Sequence, residues 1–84
     1  MSRKHRKTLA AIFTEPIRAN IAWDDAVSLF QALGAVITPG GGLMFGFDPN
    51  ERSAVFHRPH PGRELSKSLV RRFRRFLEGA GVQP

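Results

Sequence analysis

The last third of the chain constrains the fold most. Residues 66–81 read SKSLVRRFRRFLEGAG. Wound into a helix, Leu69, Val70, Phe73, Phe76 and Leu77 form one unbroken apolar stripe at i, i+1, i+4, i+7 and i+8, while Lys67, Arg71, Arg72, Arg74 and Arg75 take the opposite face. Ser66 is placed to cap the N-terminus and Gly79 or Gly81 to end the helix. Such a helix cannot stand alone in water, so the preceding residues must supply an apolar layer for it.

They supply one helix and three strands. In WDDAVSLFQALG, residues 23–34, Trp23, Ala26, Val27, Phe30 and Leu33 share one helical face, Asp24 and Asp25 sit in the first turn where carboxylates suit the helix dipole, and Gly34 follows the end. After Gly34 the period changes from three and four residues to two. AVIT at 35–38, LMFGF at 43–47 and SAVFHR at 53–58 read as strands separated by the turns PGGG and DPNER, with Leu43, Phe45 and Phe47 on one side of the middle strand. Pro59 and Pro61 forbid further ladder pairing. KHRKTLAAIF, residues 4–13, makes a short helix that ends before Pro16. The expected fold is α+β, a two-layer sandwich in the order (α)αβββα, with a three-stranded antiparallel meander and both main helices on its apolar face.

A chain of 84 residues is one small domain with one modest core. It has no cysteine, so disulfides and thiolate metal sites are unavailable, nothing argues for an oxidising compartment, and the cytoplasm is expected. The apolar run after the basic start MSRKHRK is too short for a secretory leader or a membrane span. Charge is unevenly spread. Residues 1–21 balance at +4, residues 22–56 at −3 and residues 57–84 at +5, so two basic ends flank an acidic middle. That layout favours a polyanionic partner, nucleic acid above all, since neutralising phosphates supplies most sequence-independent affinity.

One stretch concentrates reactive groups. HRPHPGREL, residues 57–65, holds His57, Arg58, His60, Arg63 and Glu64 around Pro59 and Pro61, just before the closing helix. Two readings stand. In the first, His57 and His60 exchange protons with a bound phosphodiester, because histidine is the side chain whose ordinary titration spans neutral pH, and Arg58 and Arg63 hold phosphate oxygens in a forked geometry. In the second, Phe56 faces the core, alternation sends His57 to solvent where it need do nothing, and His60 merely contacts the following helix. Anion binding by Arg58, His60 and Arg63 near the helix N-terminus asks less than catalysis. His57, His60 and Glu64 do not make a convincing metal set with prolines limiting their convergence, so no metal or cofactor is expected. The Gly41-Gly42 turn is either a plain hairpin or a backbone surface that approaches phosphate. Arg71, Arg74 and Arg75, with Lys67, can contact phosphates or an acidic protein, and together with the 57–65 stretch they are expected to form one electropositive surface.

The order helix, three-stranded meander, helix resembles the double-stranded RNA-binding domain. More closely, LFQALGA at 29–35, GGG at 40–42 before an aromatic strand, HRPHPGREL and LVRRFRRFLEGAG at 69–81 are similar to the HicA family of toxins from type II toxin–antitoxin pairs. The resemblance runs from about Trp23 to Val82, which makes residues 1–21 a basic extension with a short helix and 22–84 the α-β-β-β-α domain. It implies a metal-independent endoribonuclease that cuts messenger RNA through a histidine, inhibits translation, and is silenced by a HicB-like antitoxin; the oligomeric state is left open. The family's usual histidine follows a Gly-Ser pair at the start of the second strand, whereas this chain has Gly41-Gly42-Leu43. The competing expectation is therefore a catalytically inactive RNA-binding or protein-interaction module of the same fold.

Overall fold

The computed structural model describes residues 2–39, 42–47, 52–57 and 64–84. The elements run α1 (Arg3–Ile12), α2 (Trp23–Ala32), β1 (Val36–Pro39), β2 (Leu43–Phe47), β3 (Arg52–Phe56) and α3 (Lys67–Gly79). The strands form an antiparallel meander in the order β1-β2-β3, so the expected α+β architecture is present. Pro39 ends β1, an edge strand, where a missing N–H costs the ladder least.

Both main helices end as their glycines foretell. After α2, Gly34 has φ 93°, its N–H donates to Gln31 O at 3.0 Å, and the Ala35 N–H donates to Phe30 O at 2.9 Å. After α3, Gly81 has φ 81°, its N–H donates to Glu78 O at 3.0 Å, and Val82 N–H donates to Leu77 O at 2.9 Å. Each is a Schellman ending, in which the left-handed residue turns the chain back onto carbonyls that lack helical partners. At the other end of α3 the Ser66 hydroxyl accepts from Leu69 N–H at 3.1 Å, the cap expected from sequence.

The core is an aromatic cluster between sheet and helices. Phe45 and Phe56 rise from β2 and β3 and meet Trp23 and Phe30 of α2 and Phe73 and Phe76 of α3. Phe73 lies at the centre, with ring centroids 4.4 Å from Phe56, 5.1 Å from Phe30, 5.8 Å from Phe45 and 5.9 Å from Trp23. Such rings each contribute roughly 1.5–3 kcal/mol through burial, with a further ~1 kcal/mol for well-placed ring pairs.

The N-terminal helix shares this core. Leu9 and Ile12 of α1 are buried, as is Ile21 in the connection to α2, and α1 packs against both α2 and α3. Ser2 caps α1 by accepting from His5 N–H at 3.1 Å. His5 Nε2 shares a 2.8 Å hydrogen bond with Ser28 Oγ on α2, and Lys4 pairs with Asp25 at 3.2 Å. The helix therefore lies on the domain rather than reaching away from it.

Candidate functional site

Helix α3 distributes its cations by angle. Lys67, Arg71 and Arg75 recur every four residues, are exposed, and point away from the buried stripe Leu69, Val70, Phe73, Phe76 and Leu77. At a rise of 1.5 Å per residue they are spaced about 6 Å apart along the helix axis.

The other two arginines sit on the flanks, and tertiary partners occupy them. Arg74 turns toward α1: its Nε donates to Ile12 O at 2.9 Å, its Nη2 to Thr14 O at 2.9 Å, and its Nη1 bonds Glu15. Only 17% of its side chain is exposed. Sequence periodicity places Arg74 with the cationic face but says nothing of carbonyls some sixty residues earlier. Arg72 turns toward β3. Its guanidinium lies 4.8 Å from the Phe56 ring centroid and donates to Val55 O at 3.0 Å, covering an edge strand that would otherwise present a bare carbonyl. On the α1 side, Arg71, Arg74 and Arg75 line an open cleft against Glu15, Pro16 and Ile17, together with Glu78.

His57 follows the last ladder residue of β3. The strand is Arg52–Phe56, so its ladder stops before His57, and Arg58, the expected end, lies outside the described residues. Phe56 is buried toward the helices and His57 is exposed, as alternation requires. The register places Leu43 opposite Phe56, so Gly42 is the next residue facing His57. The two are in close contact: a Cβ built on Gly42 would lie 2.9 Å from both Cε1 and Nδ1 of the His57 ring and 3.1 Å from Phe56 O. Leu43 is half-buried and packs against the core. The proximity of Gly42 and His57 is one signal a sequence reading can miss; once the β2–β3 turn is known to pair Phe47 with Arg52, the register fixes it.

Only the two ends of the 57–65 stretch are described. At its far end Leu65 is buried, its N–H donates to Ile21 O at 2.7 Å, and Glu64 pairs with Ala22 in an isolated antiparallel bridge. Arg58, His60 and Arg63, and Gly41 in the other turn, lie outside the described residues. The described part of the basic surface is not one plane. Lys67, Arg71 and Arg75 face away from the sheet, His57 leaves β3 on the side turned from the helices, and Arg72 at the β3 edge lies between them.

The open side of the sheet is apolar in part. Met44 and Val55 are cross-strand partners exposed by 44% and 45%, and Val36 on β1 is exposed by 64%. No helix among the described residues is long and apolar enough to cross a membrane. His5, held to Ser28 between α1 and α2, stands apart from this region.

A family profile described as HicA toxin of bacterial toxin-antitoxin matches residues 23–82, from the first residue of α2 to just beyond α3, and leaves α1 outside. Searches of curated proteins and of solved structures give no match. The match takes in both main helices and the whole sheet, and with them most of the chain, so this protein belongs to the HicA toxin family of bacterial toxin–antitoxin systems.

Proposed function

We propose that the chain is a toxin that binds and cleaves RNA without a metal, inhibits translation when free, and is held inactive by a HicB-like antitoxin. The observation that carries this reading is the cationic row Lys67, Arg71 and Arg75, exposed and without an intramolecular partner among the described residues, on the helix whose Arg72 reaches the strand bearing His57. A polyanion laid along that row and round the β3 edge passes Arg72 and arrives at the imidazole. Arg58, Arg63 and the Gly41-Gly42 backbone are proposed to hold further phosphate oxygens.

The chemistry follows from the groups. The ribose 2′-hydroxyl loses its proton to a histidine and attacks the adjacent phosphorus, the P–O5′ bond breaks, and the departing oxygen takes a proton. The products are a 2′,3′-cyclic phosphate and a free 5′-hydroxyl. Charge on the phosphorane is met by arginine, whose planar fork matches two oxygens at once. His57 is assigned one proton-transfer role and His60 the other. The antitoxin is assigned the apolar open face at Val36, Met44 and Val55, from which it also covers His57.

The test is incubation of purified protein with RNA in EDTA, beside His57→Ala and His60→Ala. Cleavage that falls at least a hundredfold in both variants is expected. An inert parent protein removes the enzyme reading and leaves the same fold as an RNA-binding or protein-interaction module. Cleavage unchanged by both substitutions removes the residue assignment.

A further inference from the structure

Gly42 is a glycine for reasons of space. Its φ is not in the left-handed region, unlike those of Gly34 and Gly81, so its backbone conformation is open to any residue. What excludes a side chain is the neighbour. A Cβ at this position would meet His57 Cε1 and Nδ1 at 2.9 Å and the Phe56 carbonyl oxygen at 3.1 Å, both inside ordinary van der Waals separation. The carbonyl belongs to the paired backbone and cannot retreat; the imidazole, exposed on its other side, can. Any side chain here therefore turns His57 out.

We propose that Gly42 is the positioning residue for His57: its missing side chain is the seat on which the imidazole rests, which orients the ring and leaves Nε2, the nitrogen farther from Gly42, to exchange protons with RNA. The proposal rests on the assignment of His57 to proton transfer made above. It gives Gly42 a role beyond backbone contact with phosphate. An exposed histidine on a strand end otherwise samples several rotamers, and fixing one of them against a backbone surface removes that freedom before the substrate arrives. The ring nitrogen nearest the seat, Nδ1, is the one shielded by it, so the division of labour between the two nitrogens is set by the fold.

The experiment combines NMR with kinetics on the full chain. In the parent protein a cross-relaxation peak is expected between the Gly42 Hα protons and His57 Hε1; in Gly42→Ala it disappears while the rest of the spectrum stays folded. In the RNA assay Gly42→Ala is expected to lower kcat at least tenfold with KM within about twofold, because the phosphate-binding cations are untouched and alanine keeps the backbone N–H of residue 42. In a His57→Gln background the same alanine is expected to cost nothing further. A parent protein without the cross-peak, a Gly42→Ala variant with unchanged kcat, or an equal loss in the His57→Gln background overturns the seat. A parent protein that shows the cross-peak yet cleaves no RNA sinks the proposed function and with it the catalytic purpose of the seat, so the two failures are read separately.

Discussion

Replacing Arg74 by alanine separates its role in the fold from any role on the surface. In the folded protein its guanidinium spans Ile12 O and Thr14 O, both at 2.9 Å, and bonds Glu15. These carbonyls end α1, where helical partners are lacking and a positive charge is favoured. Hydrogen bonds from a charged donor contribute roughly 1.5–3 kcal/mol each when fully buried. Here two considerations lower the sum. Glu15 is 69% exposed, so its pairing contributes little. Once the arginine is gone, water reaches the two carbonyls. The net loss is about 2 kcal/mol, which in a domain of this size lowers Tm by about 8–16 °C. Thermal unfolding followed by circular dichroism measures the total, and amide exchange over Leu9 to Ile12 locates it. Arg74→Lys restores the charge but cannot span both carbonyls, and is expected to recover less than half. A Tm within about 2 °C of the parent, with α1 amides equally protected, would refute the reasoning and return Arg74 to the RNA-facing surface.

Phe73→Ala removes the ring at the centre of the aromatic cluster and is expected to cost about 3–5 kcal/mol in urea unfolding, against a total of roughly 4–13 kcal/mol for a chain of this length; a loss below about 1 kcal/mol would mean the ring is not core. Gly34→Ala meets nothing within 4 Å, so its cost is the left-handed backbone alone, about 1 kcal/mol by the same measurement. Gly42→Ala is its counterpart, an ordinary backbone with occupied space, and should move His57 and lose some stability at the Phe56 carbonyl, which the new Cβ approaches to 3.1 Å.

What could be read from the residues follows from how local each cause is. The α3 stripe, the change of period at Gly34 and the Ser66 cap are statements about neighbours within one turn, and each is present in the fold. The closing glycines were legible for the same reason, although for α3 the sequence offers Gly79 and Gly81 alike and only Gly81 takes the left-handed turn. Contacts between distant segments were not. Nothing in SLVRRFRRF distinguishes Arg74, bound to the end of α1, from Arg71, which faces solvent; a shift of about 60° round the helix decides it. The docking of α1 fully buries only two apolar residues, Leu9 and Ile12, too few to reveal a buried face by periodicity, and its polar contacts to Asp25, Ser28 and Arg74 join distant segments. The contact between Gly42 and His57 joins two strands and emerges only from the register.

Whether the outward row of α3 holds phosphates decides the proposed RNA binding. The most direct measurement is the salt dependence of RNA affinity for His57→Ala, which should bind without cutting, compared with the same protein carrying Lys67→Ala, Arg71→Ala and Arg75→Ala. For single-stranded RNA the log–log slope falls by about 0.7 for each phosphate contact removed, so the triple change is expected to flatten it by about 2. Equal slopes, or an affinity indifferent to salt, would contradict the account.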